Sequence, residues 1–295
     1  MILMIGVPRI ISFPTERVIL GESPVWDERA QVLYWVDIER GHLHECDADG
    51  SSAQITRIGE RIGCVALRER GGFIAGLEHR VSFLSLDPLA IETVADLKRE
   101  PAGNRCNDGK CDSRGRFWVG TSHSPEKAAS GWLYRVDLNG RMTPTAGPFI
   151  CVNGPALSPD GNRLYCVDTY GKVIYRYCVD GAGELTGRQV FVRFEDPAWG
   201  YPDGLTCDVE GYVWVAHWGG ERVSRFSPAG MLVQTIDLPV PHITSCTFGG
   251  ADLHTLFITT ASLGLDLASD HDDLSGALFA VDLEVAGLAA HRFGD

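Results

Sequence analysis

The sequence predicts an all-β fold, a six-bladed β-propeller in which every blade has four strands. Runs of aromatic and β-branched residues recur along the 295-residue chain. Their mean interval is about 45 residues, close to the length of a four-stranded propeller blade. Asp-Gly and Asn-Gly turns separate several predicted strands, and no stretch shows convincing helical periodicity. The runs are LYWVD (33–37), GFIAGL (72–77), RFWVGT (116–121), RLYCVD (163–168), YVWVAH (212–217) and TLFITT (255–260).

The first interval shows how one blade is read from the sequence. The segments 22–27 (ESPVWD) and 32–37 (VLYWVD) are two strands joined by the turn DERA. A third strand follows in GHLHECD, and a fourth in AQITRIG after an Asp-Gly turn. The same reading gives six copies within a single domain of residues 1–295. The copies are 22–58, 63–97, 105–147, 151–196, 201–240 and 244–293.

A propeller of this kind needs a device that closes the ring. One terminus usually supplies a strand to the last blade, which leaves fewer unpaired sheet edges. The segment 15–20 (TERVIL) has the residue types of such a strand. We expect it to close the sixth blade beside 289–293 (AAHRF).

Composition and charge exclude several classes of partner. The formal net charge is -13 and there is no basic run. This argues against nucleic acid and against anionic membranes as partners. A chain of this length can bury a large core, so neither disulfides nor a metal are needed merely for folding. No obligate protein partner is evident from the sequence.

The cysteines and the N-terminus bear on the cellular compartment. The nine cysteines show no CxxC or CxxH spacing, and most lie in apolar, strand-like runs. This is typical of reduced core thiols in a cytoplasmic protein. The N-terminal run MILMIGVPRIISF is short and is interrupted by Pro8 and Arg9. We expect an uncleaved tail rather than a signal peptide or a membrane span.

Four short stretches share a position relative to the apolar runs. Each opens with an oxygen-bearing side chain: ESPVW (22–26), NDGK (107–110), NGPA (153–156) and DGLT (203–206). The distance to the centre of the next run is twelve positions in two copies (22 to 34, 153 to 165). It is ten in the other two (107 to 117, 203 to 213). The two-residue difference between these spacings falls in the turn between the strands. The first residues of the four stretches are therefore predicted to occupy one equivalent position of the repeat. The six equivalent positions are Glu22, Gly63, Asn107, Asn153, Asp203 and Ser245.

Equivalent positions on inner strands converge at one end of the propeller channel. Polar groups crowded there must be satisfied by water, by each other or by a cation. Carboxylate and amide oxygens form a hard ligand set that suits a divalent cation. Any one Asp or Asn before Gly can simply form a turn. The common register favours a metal site formed by Glu22, Asn153 and Asp203.

Together these motifs resemble the regucalcin/gluconolactonase (senescence-marker-protein) family of six-bladed propeller lactonases. The resemblance covers nearly the whole chain. The motifs on which it rests are GESPVW (21–26), RCNDGK (105–110), GRFWVGT (115–121), NGPALSPDGNRLY (153–165), YPDGL (201–205) and TSCTFGG (244–250). It implies one metal bound by Glu22, Asn153 and Asp203, with Arg105 and Asn107 binding substrate. The family commonly places an acidic residue a few positions after the Gly-Thr of its third blade, whereas here Glu126 comes later.

The chemistry implied is metal-dependent hydrolysis of a sugar lactone in sugar-acid metabolism. Lactone hydrolysis needs a polarised carbonyl, an activated water and stabilisation of an oxyanion. Asp203 is the candidate for both metal ligand and general base, because a carboxylate has a second oxygen that can take a proton. The sequence leaves calcium, magnesium, manganese, iron(II) and zinc open as the metal. No Gly-x-Ser-x-Gly elbow occurs, so covalent acyl-enzyme chemistry is not expected.

Two other functions stay open at this point. One is a calcium-dependent phosphotriesterase or esterase on the same fold, and the other is a non-enzymatic propeller that binds a partner. Arg105 and Asn107 favour a polyhydroxylated substrate over a phosphotriester. Four aromatic or imidazole side chains are candidates for a rim around the site: His123, Trp199, Tyr201 and Trp218. His217 is expected to be a core histidine rather than a ligand.

Overall fold

Six antiparallel sheets of four strands each follow one another around a ring. The computed structural model describes residues 7–12, 17–98, 100–124, 126–266 and 274–294. Each innermost strand contacts the innermost strands of both neighbouring blades, and that of the sixth blade contacts that of the first. The predicted six-bladed β-propeller is therefore confirmed.

The strands are numbered in chain order, starting from β1 (Arg9–Ser12). Blade 1 contains β2 (Gly21–Asp27), β3 (Val32–Asp37), β4 (His42–Cys46) and β5 (Gln54–Arg57). Blade 2 contains β6 (Ile62–Leu67), β7 (Phe73–Leu77), β8 (Arg80–Leu86) and β9 (Leu89–Asp96). Blade 3 contains β10 (Asn104–Cys111), β11 (Phe117–His123), β12 (Gly131–Val136) and β13 (Met142–Phe149).

The second half of the ring repeats this order. Blade 4 contains β14 (Val152–Leu157), β15 (Arg163–Asp168), β16 (Val173–Val179) and β17 (Leu185–Arg193). Blade 5 contains β18 (Tyr201–Cys207), β19 (Val213–Trp218), β20 (Arg222–Phe226) and β21 (Leu232–Asp237). Blade 6 contains β22 (Ile243–Gly249), β23 (Thr255–Thr260) and β24 (Leu278–Asp282), with β1 as its outer strand. A 3₁₀ turn (Pro197–Trp199) precedes blade 5.

The core lies between adjacent blades, because each twisted sheet buries both of its faces against its neighbours. Trp26 of blade 1 stacks on Phe257 of blade 6, with ring centroids 5.7 Å apart. Trp214 of blade 5 meets Phe248 of blade 6 edge to face at 5.8 Å. Such aromatic contacts each add roughly 0.5–1.5 kcal/mol beyond the area they bury. The aromatic runs seen in the sequence are thus the inter-blade packing layer.

The ring is closed by a different segment from the one expected. β1 pairs antiparallel with β24, with Arg9 opposite Ala280 and Ile10 opposite Phe279. Residues 15 and 16 of the predicted strand lie outside the described residues. The rest of it leads into blade 1, where Leu20 forms an isolated bridge to Ala261. The prediction was wrong because the closing strand is only four residues long and lies in a Pro-interrupted run.

Residues 286–294 form a C-terminal strap across one end of the channel. Val209 of blade 5 donates its N–H to Ala286 at 3.1 Å, and Phe293 donates its N–H to Leu67 of blade 2 at 2.8 Å. Between these anchors, residues 288–291 line a cavity of about 70 Å³ together with inner strands of all six blades. The segment 289–293 therefore spans the ring rather than pairing in blade 6.

Two further predictions concern the cysteines and the N-terminal run. All nine cysteines are free thiols; eight are buried and Cys178 is half-buried. Among the described residues, none forms a helix long and apolar enough to cross a membrane.

Candidate active site and metal centre

The inner strands of all six blades carry a β-bulge near the same end. The register between first and second strand slips by one residue there, for example between Glu22 and Val25 in β2 and between Pro202 and Leu205 in β18. A bulge bends the strand and re-aims its side chains. The oxygen-bearing residues singled out in the sequence lie at these bulges.

The ladders correct the predicted equivalence of the four residues. Glu22 and Asn153 are the last paired residues before the bulge, opposite Val36 and Val167. Asn107 and Asp203 lie one position further, inside the bulge. In the strand pairing, Tyr34, the centre of the first apolar run, is equivalent to Val119 of blade 3 and not to Phe117. The second strands of the blades are largely apolar and show no alternation of apolar and polar residues. A shift of two residues in their alignment keeps every side chain on the same face of the sheet, so the sequence does not reveal it.

Despite this offset, the structure brings the five predicted site residues to one cavity of about 340 Å³. Each is nearly buried, with at most 6% of its surface exposed. They come from blades 1, 3, 4 and 5, so the site exists only in the closed ring. The residues are Glu22, Arg105, Asn107, Asn153 and Asp203.

A chain of hydrogen bonds orients the Asn153 amide. Arg105 Nη1 donates to Asn107 Oδ1 at 2.7 Å, and Asn107 Nδ2 donates to Asn153 Oδ1 at 2.8 Å. On its other side, Asn153 Nδ2 donates to Thr169 Oγ1 at 2.9 Å. These partners fix which end of each amide is oxygen. Thr169 could not be recognised from the sequence, because its role depends on a contact within blade 4 that no motif contains.

The two carboxylates of the site are poorly compensated. Glu22 Oε2 accepts the N–H of Ser23 at 3.0 Å. Asp203 Oδ1 is buried and has no hydrogen-bond partner among the described residues. Burial raises the pKa of Glu22 to about 8, and the negative charge of Asp108 adds to the effect. Burial, followed by the charges of Glu22 and Asp108, raises the pKa of Asp203 well above its usual range.

This electrostatic arrangement fits a bound cation. Buried polar atoms are normally paired, and a buried carboxylate is costly without a counter-charge. A divalent cation would satisfy Asp203 Oδ1 and offset the repulsion between Asp203 and Glu22. Within the described part of the chain, His, Cys, Asp and Glu form no metal-binding group of three or more. A third protein oxygen would therefore have to come from another residue type, and the amide oxygen of Asn153 is available in the same cavity.

The wall of the cavity combines an acidic and an aromatic side. Glu126 lines it and accepts a hydrogen bond from the Tyr170 hydroxyl. Tyr170 lies beside Tyr201, with ring centroids 5.7 Å apart, and Lys172 Nζ lies 4.3 Å above the Tyr201 ring. Glu126 thus lies at the cavity despite its late position in the sequence. The remaining wall is largely apolar and includes Leu20, Ile38, Cys151, Trp218 and Leu263.

Two candidate rim residues and one histidine lie elsewhere. Trp199 packs edge to face on Phe194 at 5.2 Å, away from the cavity lining. His123 Nδ1 accepts N–H groups from the loop that follows it. His217 is fully buried, and its Nδ1 lies 2.9 Å from the Trp199 carbonyl oxygen. Burial lowers the pKa of His217 to about 3, consistent with a neutral core side chain.

Comparison with known proteins identifies the family. The model of the SMP-30/gluconolactonase/LRE-like region matches residues 20–262. The chain belongs to this family. The family member 6-deoxy-6-sulfogluconolactonase of Pseudomonas putida is 40% identical over 93% of this chain and 95% of its own length. L-arabinolactonase of Azospirillum brasilense is 33% identical over 93% of this chain and 92% of its own.

A solved structure of the family shares the whole propeller. Regucalcin from Agrobacterium tumefaciens, described as a calcium-binding protein, superposes with a TM-score of 0.91 at 26% identity. The match covers 98% of this chain and 97% of that one. The resemblance inferred from the sequence motifs is confirmed. The expectation of a lactone-hydrolysing enzyme is confirmed at the level of the family, whose relatives include named lactonases.

Proposed function

We propose that the protein hydrolyses a sugar lactone to the corresponding aldonic acid, using one divalent cation held by Glu22, Asn153 and Asp203. The observation that carries the proposal is the buried Asp203 Oδ1. It has no hydrogen-bond partner among the described residues and shares its cavity with a second carboxylate. The named activities of the related lactonases supply the substrate class.

Glu22, Asn153 and Asp203 are the residues that would hold the cation. When bound, a divalent cation supplies positive charge that polarises the ester carbonyl and makes water easier to deprotonate. Asp203 acts as general base: it accepts a proton from the attacking water. It then returns the proton to the ring oxygen that leaves the carbonyl carbon. The hydroxyl of the water ends on the carbonyl carbon as part of the carboxylic acid, and its other hydrogen ends on the former ring oxygen as a free hydroxyl.

Arg105 and Asn107 bind and orient the substrate. The Arg105 guanidinium is a planar donor that suits sugar hydroxyls and the carboxylate formed by hydrolysis. Its hydrogen bond to Asn107 Oδ1 fixes the direction of the Asn107 amide. The Asn107 oxygen keeps a second lone pair for a substrate hydroxyl. Trp218 and Tyr201 offer apolar surface to the C–H faces of a sugar ring.

Removal of metal tests the proposal directly. Protein treated with EDTA and desalted is expected to lose lactonase activity by about 100-fold or more, because Lewis-acid polarisation is worth several kcal/mol. Activity should return on addition of one of calcium, magnesium, manganese, iron(II) or zinc. The measurement is acid release from D-gluconolactone, 6-deoxy-6-sulfogluconolactone and pentonolactones, with a phosphotriester as comparison. Equal lactone hydrolysis by the EDTA-treated and metal-replete protein would refute the metal mechanism.

Thr169→Val tests the orientation of the Asn153 amide. The variant keeps the shape of the side chain but removes the acceptor of Asn153 Nδ2. We expect cation binding to weaken by about 10- to 100-fold, the usual effect of losing a group that orients a ligand. Isothermal titration with each cation measures this. Thr260→Val removes another buried hydroxyl, one that contacts Ala277 O outside the cavity, and should bind cation like the wild type.

A further inference from the structure

The inner strand of blade 3 reaches across to blade 4 through Asp108. This carboxylate is 1% exposed and directly follows Asn107 in the β10 bulge. Its Oδ1 accepts the N–H of Gly109 at 2.7 Å, and its Oδ2 accepts the N–H of Gly154 at 3.0 Å. The second bond anchors the peptide unit that immediately follows Asn153. Asp108 therefore acts on the backbone from which the Asn153 side chain projects.

The Asn153–Gly154 peptide has little room to adopt another position. Gly154 has φ of +74°, a conformation that side chains rarely adopt. A Cβ atom there would also lie 2.9 Å from Leu205 Cδ1 of blade 5. The backbone of blade 4 is thus held between the Asp108 carboxylate on one side and blade 5 on the other. A shift of Asp108 would move Asn153 relative to Asp203.

Lys110 makes the corresponding connection to blade 5. Its Nζ donates to the carbonyl oxygen of Leu205 at 2.5 Å. Leu205 is the first paired residue after the bulge that contains Asp203. The half-buried lysine thus spans from blade 3 to blade 5 across the channel. With Asp108 it ties one strand to the backbones of two bulges that carry site residues.

We propose that Asp108 and Lys110 are positioning residues that set the direction of Asn153 and Asp203 toward the cation, an inference that rests on the function proposed above. Neither lines the cavity that holds Glu22, Asn153 and Asp203. They act through backbone hydrogen bonds to the ligand strands. Blade 3, which supplies no ligand of its own, thereby determines the spacing between ligands of blades 4 and 5.

A buried carboxylate can also serve the fold alone, and Asp112, the residue directly after β10, is an example. It is 2% exposed, and its side chain accepts hydrogen bonds from Arg116 Nε at 2.7 Å and Trp118 Nε1 at 2.8 Å. These partners all belong to its own hairpin. Asp112 is as buried as Asp108 and lies just beyond the end of the same strand, but it has no bond to a ligand strand, so it provides the matched control.

The test compares Asp108→Glu with Asp112→Glu. Both changes keep the charge and lengthen the side chain by one methylene group. We expect Asp108→Glu to weaken binding of Ca²⁺, Mn²⁺ or Zn²⁺, each titrated alone by calorimetry, by about 10-fold or more. Asp112→Glu should keep wild-type affinity even if its melting temperature falls. Equal affinity of Asp108→Glu and wild type would overturn the role of Asp108, as would an equal loss in both variants.

Lys110→Met provides a second test that does not depend on Asp108→Glu folding. Loss of a nearby positive charge alone would tighten cation binding, whereas loss of the anchor on Leu205 should weaken it by about 10-fold. The two explanations thus predict opposite signs, and tighter or unchanged binding by Lys110→Met overturns the positioning role of Lys110. If wild-type protein binds none of these three cations and neither Mg²⁺ nor Fe²⁺, the proposed metal centre itself fails. That result is distinct from either variant result.

Discussion

Asp203→Asn is expected to lower kcat for lactone hydrolysis by about 10²–10⁴-fold, the range over which a general base contributes. The amide keeps one oxygen for a cation but cannot accept the proton from water. The same change should stabilise the metal-free protein, because it removes a buried carboxylate that has no partner for Oδ1 and is repelled by Glu22. Lactone hydrolysis and thermal unfolding in EDTA measure the two effects.

Ser245→Ala is the control for this variant. Ser245 lies at the bulge of blade 6 but does not line the cavity, so its removal should leave turnover unchanged. Full activity of Asp203→Asn would exclude Asp203 as the base. A loss of activity together with lower stability in EDTA would contradict the electrostatic account of the site.

The metal-free protein is expected to become less stable as pH rises from about 4.5 to about 8. Burial, reinforced by Asp108, raises the pKa of Glu22 from 4.5 to about 8, so the folded state binds a proton that the unfolded state releases in this range. The stability that this proton contributes is therefore fully present below pH 4.5 and is lost as pH rises through the pKa of Glu22 in the folded state. Each unit of pKa difference corresponds to about 1.4 kcal/mol. Asp203 shifts in the same direction.

Urea unfolding between pH 5 and 8.5, with EDTA and with saturating cation, measures this dependence. Cation should flatten the curve, because it stabilises both carboxylates in their charged form and releases their protons on binding. Glu22→Gln should make the EDTA curve shallower without any cation, and the dependence that remains should come from Asp203, whose pKa burial still raises. A stability in EDTA that rises with pH over this range would show that Glu22 and Asp203 are not the poorly compensated pair described here.

The repeat could be predicted from the sequence because its signals are local. An aromatic or β-branched run recurs in each blade, and Asp-Gly or Asn-Gly turns separate strands in several of them. The closing strand could not be found in this way. Its four residues carry no pattern of their own, and they are identified only by pairing with β24 at the other end of the chain.

The residues of the site could be predicted from the sequence, but the contacts that orient them could not. Glu22, Asn153 and Asp203 stand out as oxygen-bearing residues at repeated positions, and the structure places them in one cavity. Thr169 and Asp108 form hydrogen bonds with Asn153 and Gly154 of the NGPA stretch, but no sequence pattern indicates these pairings. Asp108 lies within the NDGK motif, yet nothing in the motif indicates that its carboxylate reaches the N–H of Gly154. Such contacts follow from the arrangement of blades around the ring.

The way the ring closes has a consequence for synthesis of the protein. Arg9 and Asp282, which form an ion pair across the outer edge of blade 6, are 273 positions apart in the chain. β1 leaves the ribosome first among the described strands, and its partner emerges only after the inner strands of all six blades. Five blades can therefore assemble while β1 stays unpaired. Contacts between distant parts of the chain are the slow kind in folding, and the pairing of β1 with β24 cannot form before nearly the whole chain has been synthesised.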